Sequence, residues 1–510
     1  MTDQTATPVA APPYGGPPTA EVPRRSWQAL IVLLAGMFIA LLDTTIVNVA
    51  LPTIRTSLDA SEATLSWIIS GYALAFGLAL IPAGRVGDRI GHKWVFFTGI
   101  ALFTVASAAC GLAQSDTQLV VFRVVQGLAG GIFVPAVTAF IQLLFPGRVR
   151  GKAFAIMGAV IGVSSALGPI VGGLIIQAFG ETSGWRLVFG VNLPIGVATL
   201  VAAALLLPAK HASDPVAKAG IDWLGLLLLT AGLVALLVPL IEGQDKGWPT
   251  WTYVTLAAGV LLLVVFALWE VAYTRRGASP LVPPHLFSHA SFTGGVVLAL
   301  VYFAAFTSIF FTLSILWQTG LGHTALESGV VSIPFAIGSI IASSQSNRLA
   351  QKLGRTVLVI GAGLLSVGLV WLWLVLRSSD GASLTHWDLL PPLLIAGLGS
   401  GAFIAPNAQF IIATVDRSEA GAASGVVSTV QRVGSAVGIA IIGSVLFGSL
   451  VITGPDTVAT GFLSASADAM AVSAAFSVAA LLLVFVLPKQ AGGRPGAPAA
   501  APRRALAPTD

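Results

Sequence analysis

Fourteen apolar stretches divide this chain, each long enough to cross a lipid bilayer, and they leave little freedom in what it can fold into. A hydrocarbon core of about 30 Å takes roughly 20 apolar residues as a helix. The stretches run over approximately 27–50, 62–82, 94–113, 117–141, 152–177 and 186–207, then 222–241 and 252–273. Six more follow at 292–318, 326–347, 355–377, 389–413, 420–446 and 465–487. Only 9% of the 510 residues are charged, where a soluble domain carries roughly 25%. The mean hydropathy is +0.91. Most of the surface therefore faces lipid. The expected fold class is all-α, a polytopic membrane protein of 14 transmembrane helices.

The polar remainder sets the orientation. With the N-terminus inside, the cytoplasmic segments carry 20 of the 26 Lys and Arg residues. The outer segments carry four, Arg55, Arg186, Lys246 and Arg377, while Arg123 and Arg432 lie within helices. This is the positive-inside bias. It predicts an even number of helices and both termini cytoplasmic, in a multi-pass protein of the cytoplasmic (inner) membrane. A net charge of +5 distributed in this way points to the lipid bilayer and not to nucleic acid. Residues 1–26 and 488–510, rich in Pro, Ala and Gly, read as disordered cytoplasmic tails. Arg24-Arg25 precede an apolar run too long for a secretory signal, so the first helix is expected to stay in the protein. The one cysteine, Cys110, lies in an apolar run and allows no intramolecular disulfide.

A weak internal repeat divides the chain. Gly84-Arg85-Val86-Gly87-Asp88-Arg89-Ile90-Gly91-His92-Lys93 follows the second helix, and Asn347-Arg348-Leu349-Ala350-Gln351-Lys352-Leu353-Gly354-Arg355 follows the tenth. Aligning Gly91 with Gly354 places Arg89 on Lys352 and Arg85 on Arg348. Both read as short, basic cytoplasmic loops. The second copy has Gln351 where the first has Asp88. Six helices over 27–207 then match six over 292–487, with 208–291 a linker bearing two extra transmembrane helices. Two six-helix bundles with a site between them is a common transporter plan.

Asp43 lies deep in the first apolar run. A carboxylate there costs roughly a few kcal/mol or more, so it needs a partner, a water-filled cavity or a bound proton. At 1.5 Å per residue, Asp43 and Arg123 each fall about 9 Å below the outer face. A pair would explain how both tolerate burial. A rearrangement that makes and breaks it would release and bind a proton. A structural carboxylate that never titrates is the plainer alternative, and Arg123 equally fits a cation satisfying helix carbonyls. Gln126, one turn beyond Arg123, extends the polar path. Arg432 has no acidic partner nearby in its helix; a structural role and substrate contact fit it equally.

Several stretches together resemble the major facilitator superfamily, and within it the 14-helix drug:proton antiporter branch. Leu42-Asp43-Thr44-Thr45-Ile46-Val47-Asn48-Val49-Ala50-Leu51-Pro52 resembles that branch's first-helix motif, and Gly84–Lys93 the superfamily's gating loop. Arg123-Val124-Val125-Gln126-Gly127-Leu128-Ala129-Gly130-Gly131 resembles the motif of helix 4. Gly168-Pro169-Ile170-Val171-Gly172-Gly173 resembles the antiporter motif of helix 5. Trp185-Arg186, Asn192-Leu193-Pro194-Ile195-Gly196 and Gly421-Ala422-Ala423-Ser424-Gly425 also match the branch. The resemblance implies proton coupling at Asp43 and Arg123. It implies that Gly84, Arg85, Asp88, Arg89, Gly91 and Lys93 stabilise a state closed to the cytoplasm, and that Gly168, Pro169, Gly172 and Gly173 mark an exporter. Val86 and His92 depart from the usual residues at their positions. Independently of the resemblance, Asp88 can cap a helix N-terminus, and Arg85, Arg89 and Lys93 can bridge to other cytoplasmic helix ends.

Candidate substrate-binding residues are Asn48, Trp67, Gln126, Ser164, Phe310, Trp317, Asn407 and Arg432, with Tyr72, Phe403 and Gln409 as further polar or aromatic positions. Each also fits packing or an interfacial aromatic belt. Helices 9–12 carry no acidic residue at mid-depth, which predicts neutral, zwitterionic or at most monocationic amphipathic substrates. Asp222 and Glu270 read as charges at the cytoplasmic ends of helices 7 and 8. No metal-ligand cluster, nucleophile triad or phosphate-binding loop is present in the sequence. An enzyme is not expected, no cofactor is called for, and any pumping draws on an ion gradient, here protons. The expected function is proton-coupled export of amphipathic drugs or antibiotics by a monomer. A transporter of lipid or metabolite and a non-transporting receptor are the alternatives.

Overall fold

Lipid offers no hydrogen-bond partners, so a spanning segment must satisfy its own backbone, which a helix does alone. The structure, a computed structural model, describes residues 22–60, 62–209, 222–243, 246–379, 384–413, 415–416 and 419–487. Residues 1–21 and 488–510 of the two expected tails lie outside these, as do Lys210, Lys218 and Arg417. Among the described residues every regular element is helical, and fourteen helices are long and apolar enough to cross a membrane. The first six are α1 (Arg24–Leu51), α2 (Trp67–Ile90), α3 (His92–Leu112), α4 (Asp116–Leu144), α5 (Val149–Gly180) and α6 (Ser183–Leu206). Next come α7 (Trp223–Leu240) and α8 (Thr250–Arg275). The last six are α9 (Ala290–Gly320), α10 (Leu326–Leu353), α11 (Thr356–Ser378), α12 (His386–Ile412), α13 (Ala420–Ser449) and α14 (Pro455–Val484).

Local chemistry sets the ends. The chain turns between α2 and α3 at Gly91 (φ 100°) and between α5 and α6 at Gly180 (φ 78°), a backbone region that favours glycine. Capping boxes start α10 (Thr324 with Glu327) and α12 (Thr385 with Asp388). Several boundaries differ from the sequence expectation, among them the second basic stretch, expected as a loop but helical through Leu353. α1 begins at Arg24, so Arg24–Ser26 are helix and not tail. The basic stretch expected as a loop is helical through Ile90, broken only at Gly91, and α3 resumes at His92. Hydropathy ends at Pro82, but beyond it Asp88 accepts from backbone N–H groups of α13, which holds this polar end of the helix against a neighbour. α14 starts at Pro455, ten residues early, because small polar residues dilute its first turns.

Packing repeats with a shift of eight helices. α1 packs on α5 and α6, α2 and α3 pack on α4, and α3 packs on α6. In the second half α9 packs on α13 and α14, α10 and α11 pack on α12, and α11 packs on α14. The halves meet along α2 with α13 and α5 with α10, two seams that the same shift exchanges. Each half has its own apolar core. α7 and α8 pair with each other, and α7 lies over the α2–α13 seam, where Leu229, Leu233 and Phe266 join Ile81, Val426 and Val427.

Candidate functional site

The deepest polar cluster centres on Asp43 and draws on five helices of the first half. Asp43 and Arg123 are 0% and 1% exposed, and their side chains form an ion pair at 2.5 Å from Oδ2 to Nη1. The other carboxylate oxygen, Oδ1, accepts from Gln126 Nε2 at 3.0 Å and from Asn192 Nδ2 at 2.7 Å. Asn192 Nδ2 and Gln126 Nε2 also donate to Ser107 Oγ, at 2.9 and 3.1 Å. Ser107 in turn donates to the Phe189 carbonyl. Arg123 is held three further ways: Nε donates to the Ile68 carbonyl, Nη1 donates to Gln126 Oε1, and the guanidinium lies 4.1 Å from the Tyr72 ring centroid. Tyr72 donates to the Ala40 carbonyl. A buried pair with this many donors is stable, whereas removing one member leaves an uncompensated charge worth about 3–5 kcal/mol.

The sequence placed Asp43, Arg123 and Gln126 on a common path, and the structure brings all three into contact. It adds Asn192 and Ser107, to which sequence reasoning gave no role. Asn192 had a signal, its place in the Asn-Leu-Pro-Ile-Gly stretch. Ser107 had none, being one small polar residue in an apolar helix.

A second site joins the halves on the side where α1 begins and α14 ends. Asp88, near the end of α2, accepts from the backbone N–H of Gly421 and of Ala422 at 2.8 and 2.9 Å. One carboxylate thus caps the first turn of α13 across the α2–α13 seam, where the helix dipole favours negative charge. His92 Nε2 lies 3.3 Å from the same carboxylate. The approach requires glycine on both helices: a Cβ at Gly84 would overlap the Gly421 carbonyl oxygen, and one at Gly421 would overlap that of Gly84. Lys93 donates to the Ala204 and Leu207 carbonyls at 2.8 Å each, tying α3 to the end of α6. Arg85 is half-buried beside this contact and Arg89 lies one turn on. On the opposite seam the repeat places Asn347 against Gly151, and Gln409 Nε2 donates to the Gly151 carbonyl at 3.5 Å.

α5 has two working faces. A Cβ at Gly168 would overlap Thr45, and one at Gly172 would meet Ile46, so this face lets α1 approach just beyond Asp43. Pro169 and Gly173 face Gly329 and Leu326 of α10 in the other half.

The remaining candidates do not converge. Asn48 is exposed. Trp67 borders a narrow crevice with Ser70, Leu74, Val238 and Glu242, between α2 and α7, too tight to hold a water molecule. Ser164 donates to the Val160 carbonyl of its own helix. Phe310 packs edge-on against Phe306 and Phe335, and Trp317 stacks on His323. Asn407 donates weakly to the Gly295 carbonyl at 3.4 Å, and Phe403 stacks on Tyr302. The Arg432 guanidinium lies 4.2 Å from the Phe76 ring centroid. Asp222 caps α7 through Gly225 N–H and accepts from Trp269 Nε1; Glu270 accepts from Val282 N–H. Both are buried and bonded, so they are more than interfacial charges.

Fourteen spans in two halves of one plan, a charge pair sealed inside one half and a cap between the halves follow the plan of a membrane transporter. The Major Facilitator Superfamily profile matches residues 33–439, and the chain belongs to that family. It is 37% identical over 453 residues to the probable actinorhodin transporter of Streptomyces coelicolor, covering 88% of this chain and 78% of that one. It is 33% identical over 428 residues to the tetracenomycin C resistance and export protein of Streptomyces glaucescens, covering 84% and 77%. The crystal structure of the human organic anion transporter MFSD10 superposes with a TM-score of 0.62 at 14% identity, covering 92% of this chain and 100% of that one. At that identity the likeness speaks to the fold alone.

Proposed function

We propose that this chain is a proton-coupled antiporter that exports amphipathic drugs or antibiotics across the cytoplasmic membrane by alternating access. The observation that carries the proposal is the Asp43 carboxylate, wholly buried and held by one cation and two amides. A proton on Asp43 neutralises it and dissolves the pair, leaving Arg123 to the Ile68 carbonyl and Gln126. Because breaking a buried pair costs about 3–5 kcal/mol, protonation and repacking of α1 against α4 must occur together. That link is what coupling requires. The names of the actinorhodin and tetracenomycin relatives support an antibiotic-like substrate. The Lys and Arg distribution supports cytoplasmic termini, so the Asp88 cap belongs to a state closed to the cytoplasm. Protons, the substrate and the bilayer are the partners; no cofactor is needed, and the working unit is a monomer. Transport of a lipid or metabolite on the same fold is the second reading.

The test is substrate-evoked proton release in proteoliposomes, read with a pH dye, for wild type and Asp43→Asn. Release that disappears in a folded Asp43→Asn protein supports antiport with the proton on Asp43. Release that survives moves the proton elsewhere. No release from wild type across a broad compound panel sinks the antiport mechanism.

A further inference from the structure

Arg432 is a cation at mid-depth whose charge has no partner among the described residues. It lies twelve residues into α13, about 18 Å from the helix start at 1.5 Å per residue. Asp43, the acid at comparable depth in the first half, is already matched by Arg123. Arg432 forms no ion pair, and its described contact is the face of Phe76 on α2. A ring face offsets only part of what an unpaired guanidinium loses on leaving water. Gly434 and Gly438 meet α9, and Val426, Val430 and Val433 join the cluster with α7. At 100° per residue Arg432 lies at least about 100° around the helix from each of these. It therefore reaches across the seam into the other half, above the Asp88 cap on the same two helices. Thr429, one turn before it, has a buried hydroxyl with no hydrogen-bond partner.

We propose that Arg432 is the counter-charge for an acidic group, a carboxylate or ionised phenol, on an amphipathic aromatic substrate. The proposal rests on the transport reading above and deepens it by choosing the acidic end of the substrate range. Phe76 supplies the aromatic wall beside the guanidinium, and Tyr72, at 5.9 Å from Phe76, stacks under Arg123. The substrate's acid and the proton-bearing Asp43 would then lie at two ends of one Arg–aromatic–aromatic–Arg row.

The experiment compares rhodamine B, which has a free carboxylate, with its ethyl ester. Binding to purified protein is read by dye anisotropy, and uptake in inside-out vesicles under an imposed proton gradient. The expected result is tighter binding and faster uptake of the acid by wild type. Arg432→Gln should weaken acid binding tenfold or more and change ester binding less than twofold, while Arg432→Lys keeps most of the preference. Equal loss of acid and ester, an unchanged acid preference in Arg432→Gln, or no acid binding by wild type overturns the proposal. So does ester transport that requires chloride only when Arg432 is present, which would assign the site to an inorganic anion. Binding preference without gradient-driven uptake would sink the export reading and leave Arg432 as the acid's partner.

Discussion

Replacing Asp88 by Asn tests the cap between the halves most directly. The carboxylate accepts two N–H groups at the first turn of α13. A hydrogen bond to a charged group contributes about 1.5–3 kcal/mol, and the amide keeps one oxygen and no charge. The expected loss is about 2 kcal/mol, roughly a factor of 30 in the closed-to-open ratio. Because the bonds cross between halves, the loss falls on the closed state and not on the folding of either bundle. A closed fraction of about 99% would fall to about three-quarters. Ile90 and Leu353, 61% and 41% exposed at the ends of α2 and α10, suit a spin-label pair across the halves, and the buried Cys110 does not compete for label. Pulsed electron resonance should show one short distance in wild type and an added longer one in Asp88→Asn. An unchanged distribution, or a protein that simply unfolds, refutes the idea that Asp88 selects between states.

Two further outcomes follow from the Asp43 cluster and from α5. Asn192→Leu removes one of the two amide donors to Asp43 Oδ1 and one of the two to Ser107, so substrate-evoked proton movement should fall several-fold while substrate binding changes little; unchanged proton movement would leave Asn192 a packing residue. Gly168→Val places a branched side chain into Thr45, and overpacking costs about 1–3 kcal/mol; transport should fall at least tenfold with the protein still folded, and wild-type rates would show that α1 does not need this contact.

The fourteen spans were legible because lipid demands long apolar runs, and the common depth of Asp43 and Arg123 was legible because rise per residue fixes depth. Their contact was not, since depth says nothing about which helix faces are adjacent. Ser107 and Ser164 show the difficulty. Both are buried serines in apolar helices, yet Ser164 donates to its own Val160 carbonyl while Ser107 donates across to Phe189 and receives two amides. Nothing local distinguishes them. The end of α2 was misjudged for the opposite reason. Its polar turns look like a loop by composition, but Asp88 and Lys93 find partners on other helices, which hydropathy does not see.

The repeat that builds the molecule also makes its two seams differ. The shift of eight helices exchanges α2–α13 with α10–α5, so equal residues would give equal contacts. They are not equal. On one seam Asp88 accepts two N–H groups at a helix start. At the matching place on the other, Gln351 replaces it, and the contact with Gly151 is made by neutral amides. A neutral amide gains little from a helix dipole, whereas a carboxylate at the N-terminus gains from both the dipole and charge-assisted bonds. Along the α5–α10 seam Gly158, Gly162 and Gly173 meet Ser343, Ser339 and Leu326. Packing yields to small rotations without losing all its contacts, while a two-bond cap is either made or broken. Asp88 thus gives the α2–α13 seam a cap that is made or broken as a unit, where the matching position on the other seam carries the neutral Gln351.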